Sequence, residues 1–187
     1  RDYQPGDRFS QVHWKSFAKT GNMRTKEFED RQSQNITLVL DRTTRENFEA
    51  AVDLAASIVK SAVRNHNDIA FISGGDAKLY YPSIQTQMQL EQVLHHLAIV
   101  QPNGAPLQDS FKGKERQLSK SILIIVAGDI TKPLLQVLQK DVPVSNQVIC
   151  FITAPIKTDS VKIAPNCKLI TVEREQYAKV FSEVNKR

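Results

Sequence analysis

From Asn35 onward the apolar residues fall into two alternating periods, short β-branched runs and longer stripes at helical spacing. Ile36-Thr37-Leu38-Val39-Leu40 predicts a strand that ends at Asp41. Phe48, Ala51-Val52, Ala55, Ile58-Val59 and Ala62-Val63 recur at i, i+3, i+4, i+7 and predict a long helix with one side on a sheet. Thr43-Thr44, just ahead of it, offer capping hydroxyls. Ile69 to Ile72 predicts a second strand, Ser73-Gly74-Gly75-Asp76 a hairpin turn, and Ala77 to Tyr81 a third strand running antiparallel to its neighbour. Pro82-Ser83 then leads into a helix carrying Met88, Leu90, Val93-Leu94 and Leu97-Ala98.

Periodicity is lost between Val100 and Lys120, where Pro102, Gly104, Pro106 and Gly113 mark the longest irregular stretch. Ser121 to Ala127 is apolar on both faces, as a central parallel strand should be, and Asp129 stands just past its end. Pro133, Leu134-Leu135 and Val137-Leu138 predict a helix, Gln147 to Ile152 and Lys168 to Val172 two strands, and Tyr177, Val180-Phe181 and Val184 a closing amphipathic helix. Strands alternating with helices predict an α/β fold, a doubly wound, mostly parallel sheet with right-handed crossovers and one antiparallel edge strand.

The residues ahead of Asn35 follow a different logic. Pro5-Gly6 suits a turn, Asp7 can cap a short helix on Phe9, Val12 and His13 or Phe17, and Gly21-Asn22 supplies a left-handed stop. Trp14, the sole tryptophan, reads as an anchor on the main domain, which leaves His13, Lys15, Lys19 and Lys26 as a candidate contact surface. The division is therefore a signature segment over 1–33, made of turn, short helix and strand, added to an α/β domain over 34–187.

The segment also carries a resemblance. Arg1-Asp2-Tyr3-Gln4-Pro5-Gly6-Asp7, Val12-His13-Trp14-Lys15, Ala18-Lys19-Thr20-Gly21 and Lys26-Glu27-Phe28-Glu29 resemble the signature of the bacterial family called domain of unknown function 58, whose members look like von Willebrand factor A (vWA) domains. The resemblance implies a Rossmann-type vWA-like fold. It implies a parent protein tethered to the membrane by segments N-terminal to this stretch, with this part on the cytoplasmic face. It also makes a MoxR-type AAA+ ATPase an expected partner.

Composition narrows this picture only slightly. The 187 residues, 41% apolar, fit one domain with a substantial core. The longest purely apolar run, Ile122 to Ala127, is far too short to span a bilayer, so the chain reads as the soluble piece of something longer. Cys150 and Cys167 sit in or beside strand-like stretches and read as reduced thiols instead of a disulfide framework. The net charge is +5, yet acids are scattered among the bases. The densest group, Lys112, Lys114, Arg116 and Lys120, includes Glu115 and reads as a solvated loop; no nucleic-acid partner is expected.

In open α/β sheets ligands collect at the C-terminal ends of the strands, and that rim would hold Asp41, Thr43 and Asp129. In vWA domains the rim carries a metal-ion-dependent adhesion site whose first loop reads D-x-S-x-S. Here Asp41-Arg42-Thr43-Thr44-Arg45 keeps the Asp and replaces the Sers with Thr43 and Arg45, while Asp129 matches a later Asp. No Thr stands near Asn103-Gly104-Ala105 for the remaining ligand. The site reads as degenerate, a Mg²⁺ cofactor as the lesser expectation, and Arg45 as a possible stand-in cation for Asp41 or Asp129.

G-x-S-x-G, G-x-x-x-x-G-K-[ST], H-E-x-x-H and C-x-x-C do not occur. His95 and His96, adjacent on a helix, point about 100° apart and are poorly placed to chelate. His66 reads as a helix end, and Ser73 has no base at any motif spacing. The leading expectation is a non-enzymatic vWA-like interaction module. Its rivals are a metal-dependent adhesion-type binder using Asp41, Thr43 and Asp129, and a hydrolase using His13 or the strand-end acids.

Overall fold

A computed structural model describes residues 35–75, 79–141, 147–154 and 163–173. The chain divides into two units, 1–33 and 34–187, and the described residues all belong to the second. The turn at Pro5-Gly6, the stop at Gly21, the Trp14 anchor, the surface of His13, Lys15, Lys19 and Lys26, and the closing helix around Tyr177 to Val184 lie outside the described residues.

Six strands form one sheet in the order β3-β2-β1-β4-β5-β6. They are β1 (Asn35–Leu40), β2 (Ile69–Ser73), β3 (Tyr80–Ile84), β4 (Ser121–Ala127), β5 (Val148–Ile152) and β6 (Cys167–Thr171). All neighbours are parallel except β2 and β3. The α-helices among the described residues are α1 (Phe48–Arg64), α2 (Gln87–Ile99), the single turn α3 (Glu115–Leu118) and α4 (Lys132–Gln136). The chain moves one way from β1 through α1 to β2 and the other way from β4 through α4 to β5, so strand order reverses between β1 and β4. This is the doubly wound α/β arrangement expected from the alternating periods.

The strand period of two divides the core between the faces. Leu38, Leu40, Phe71, Ile124, Val126 and Phe151 pack with Leu54, Ile58 and Val59 of α1 and Val93 and Leu97 of α2. Val39, Ile72, Leu123, Ile125, Cys150 and Ile152 pack on the other face with Leu134 of α4 and with Leu107 and Leu118. Each fully buried Leu, Ile or Phe contributes roughly 1.5–3 kcal/mol relative to exposure. Two hydroxyls that enter the core are bonded to one another: Thr37 Oγ1 donates to Ser121 Oγ at 2.9 Å, which donates to the Leu118 carbonyl at 3.2 Å.

Three expectations need correction. The third strand lies later than Ala77 to Tyr81, and Pro82 belongs to it instead of leading into a helix. Tyr81 to Ile84 faces only Phe71 to Ile69, so β3 carries an extra residue there. A bulge on an edge strand tolerates a residue without an N–H. The helix begins after Thr86, whose hydroxyl accepts from Gln89 N–H at 3.3 Å while Gln89 Oε1 accepts from Thr86 N–H at 3.1 Å, a reciprocal cap.

The stretch from Val100 to Lys120 is not structureless. Leu107 and Leu118 are buried pegs, joined by a 3₁₀ turn at Leu107–Ser110 and by α3. Nor does α1 use the Thr43-Thr44 hydroxyls as its cap. Its N-cap is Asn47, in left-handed backbone at φ 52°, without a side-chain capping bond. The other end behaves as expected, with His66 at φ 57° just after the helix.

Candidate functional site

The C-terminal ends of β1, β2 and β4 place the candidate site. Asp41 follows β1 directly, and its N–H donates to the Val126 carbonyl at 2.8 Å, which keeps it fixed against β4. One carboxylate oxygen, Oδ1, accepts from the Thr43 N–H at 3.0 Å and from the Thr43 hydroxyl. The other, Oδ2, is buried without a hydrogen-bond partner. Burial pushes the Asp41 pKa above the ordinary aspartate range, opposed in smaller measure by the Thr43 hydroxyl and the backbone amides of Thr43 and Arg42.

Arg42, next in the chain, ties three loops together. Its Nε donates to the Gln101 carbonyl at 2.8 Å and its guanidinium reaches Ser73 Oγ at 3.2 Å. Its carbonyl accepts from the N–H groups of Asn103 and Gly104 at 3.0 and 3.2 Å. Asn103 Nδ2 returns a bond to the Gly74 carbonyl at 3.2 Å, and Gly74 N–H donates to Leu40 O at 2.8 Å. A Cβ at Gly74 would stand 2.4 Å from that same oxygen, so a side chain there is excluded. Gly75 N–H donates to the buried Ser110 Oγ at 2.7 Å.

Ser73, fully buried at the end of β2, also meets His96 Nε2 at 3.1 Å. No motif spacing marks a base for Ser73, because the partner comes from a helix more than twenty residues away. One signal was present: His96 lies three residues after Val93 and beside Leu97, both buried, whereas His95 turns outward and is exposed.

Of the expected metal ligands, Asp41 and Thr43 are brought together and Asp129 is not joined to them. Asp129 Oδ1 accepts from Ile130 N–H at 2.6 Å, within its own loop. Arg45 is exposed and pairs with neither acid among the described residues, so it does not stand in for a cation. Among the described residues no three acid, His or Cys side chains converge. Asn103 is folded onto Gly74 and onto Ala105 N–H, where a further oxygen ligand would be needed. Mg²⁺ takes near-octahedral oxygen coordination, and of the three expected ligands Asp41 and Thr43 are the two whose oxygens meet.

Both cysteines are free thiols, Cys150 buried in β5 and Cys167 half-buried at the start of β6. Burial pushes the Cys150 thiol far above its usual range, with the Asp41 and Cys167 charges adding to it, so it remains protonated and inert.

The family model "Protein of unknown function DUF58" matches residues 1–152. The "Uncharacterized protein YeaD" of Bacillus subtilis (strain 168) is 32% identical over 138 residues, 72% of this chain. The chain spans about a third, 35%, of that relative's length. A solved SpRpn10 VWA domain is similar at a TM-score of 0.49 and 11% identity, covering 80% of this chain and 94% of that one.

Proposed function

The chain belongs to the family described as "Protein of unknown function DUF58", and from that premise we propose that it is a non-enzymatic, vWA-like protein-interaction module. The observation that carries this reading is the Arg42 clamp. It locks the loops after β1, β2 and α2 into one platform, from which Arg45, Glu46, Asn103 and Gly104 are exposed. Loops ordered before binding lose little entropy when a partner arrives. The partner we propose is a MoxR-type AAA+ ATPase. The parent protein, on this reading, is held at the membrane by segments N-terminal to this chain, with the module on the cytoplasmic side; no helix among the described residues is long and apolar enough to cross a bilayer.

Among the described residues, the Ser73–His96 pair is the arrangement that favours a hydrolase. Complete burial of Ser73 argues against it, because a substrate carbonyl has no approach to Oγ. The Arg42 guanidinium on the same oxygen fits a structural role better.

A pull-down from the native host, with this chain as bait, tests the proposal. Retention of a MoxR-type ATPase, weakened by Arg45→Glu at the rim or by charge reversal at Lys15 and Lys19, is the expected result. Failure of the unaltered chain to retain any such ATPase removes that partner.

A further inference from the structure

Away from the rim, the segment from Leu107 to Lys120 crosses the sheet face formed by Val39, Ile72 and Ile125, held by Leu107 and Leu118. Between it and the edge strand lies an open cleft of about 410 Å³, lined by Tyr80, Gly113, Lys114, Arg116 and Lys120. That volume falls in the range of small-molecule sites, about 300–1,000 Å³. Three of the five lining residues are cations.

Lys114 is fixed in place. Its Nζ donates to the Ser110 carbonyl at 3.1 Å and stands 5.3 Å from the centre of the Tyr80 ring. Arg116 and Lys120 are exposed and have no ion-pair partner among the described residues. The nearby acids are already engaged: Asp109 pairs with Lys112 at 2.7 Å, and Glu115 Oε1 accepts from Gly113 N–H at 2.9 Å. The neighbouring Glu115 carboxylate, held in its charged form chiefly by backbone N–H groups and in smaller part by the Lys114 ammonium, is outnumbered by the three cations of the cleft, whose remaining mutual repulsion an incoming anion would relieve.

We propose that this cleft binds a small phosphomonoester, with the Arg116 guanidinium and the Lys120 and Lys114 ammonium groups on the phosphate and the Tyr80 ring walling one side. A dianionic phosphate matches a planar guanidinium bidentately and takes point charges from lysines. The volume leaves room beyond the phosphate for a sugar or a base.

Isothermal titration of this chain with inorganic phosphate and with adenosine monophosphate tests it, beside co-sedimentation with phosphatidylcholine vesicles carrying phosphatidic acid. The expected result is saturable binding of adenosine monophosphate that weakens with added salt. It should fall at least tenfold in Arg116→Gln/Lys120→Gln and in Lys114→Gln, and be unchanged in Lys132→Gln on α4. The substituted side chains Arg116 and Lys120 are exposed, and circular dichroism verifies that each variant folds. Binding to vesicles without binding to the free phosphates would make the cleft a lipid-surface contact and overturn the proposal. So would no binding of either kind, or binding indifferent to the three cations.

Discussion

The Ser73 hydroxyl and the His96 imidazole meet at 3.1 Å across the end of β2. A guanidinium can only donate, so the bond from Arg42 fills one acceptor site on Ser73 Oγ, and the hydroxyl meets His96 Nε2 with its remaining hydrogen-bonding capacity. One buried hydroxyl thus joins α2 to the loop after β1. Ser73→Ala removes a bond from each neighbour at once, and thermal or urea unfolding should show a loss of about 1–3 kcal/mol. A variant as stable as the parent would show that the junction carries no weight.

Asp41 gives a pH dependence of definite sign. Its folded pKa is raised by burial, so the folded state holds the proton more tightly than the unfolded chain. The stability this provides is fully present below the unfolded aspartate range and is lost as pH rises through the folded value. Asp41→Asn keeps an oxygen for the Thr43 amide and hydroxyl without the charge. The stability of the parent relative to this variant should fall from acid toward neutral pH. Chemical denaturation of both proteins across that interval measures it, and parallel curves would contradict the burial argument.

Gly128, just after β4, is constrained by its neighbours. A Cβ there would sit 2.2 Å from the Glu46 carbonyl oxygen and 3.0 Å from the Asn47 carbonyl carbon. Both belong to backbone at the entrance to α1, so the clash cannot be relieved by turning a side chain. Gly128→Ala is expected to cost about 1–3 kcal/mol in a denaturant titration, the usual scale of overpacking.

The rim donor set predicts the outcome with divalent cations. Calorimetric titration with Mg²⁺ and Mn²⁺ should give no saturable heat that depends on Asp41. The open acceptor is Asp41 Oδ2; saturable binding abolished by Asp41→Ala would show that this oxygen and the Thr43 hydroxyl recruit a metal.

Most of the fold was legible because period and burial speak together. The runs at Ile36–Leu40, Ile122–Ala127 and around Phe151 are strands whose apolar faces match the two cores. The helix stripe from Phe48 to Ala62 is buried on one side of α1. Pro82 reads as a strand breaker because propensity takes no account of whether a strand lies at an edge. The rim was legible only as single positions. Asp41 could be read from the end of a strand, whereas Ser73 with His96, and Arg42 with Gln101, are pairings made by the folded chain at no fixed spacing. Lys114 over Tyr80 has the same origin, which is why a scattered basic loop in the sequence becomes one wall of a cleft.

Pro82 has a last consequence, for how another protein could engage the sheet. The strand beyond β2 has five residues, one of them unable to donate and accommodated by a bulge. A guest peptide laid along that margin would find its hydrogen-bond ladder broken at the centre. Strand addition at β3 is therefore disfavoured, by chains of its own kind as by foreign ones. At this edge recognition is left to loops and side chains, where specificity is set by shape and charge instead of by backbone pairing.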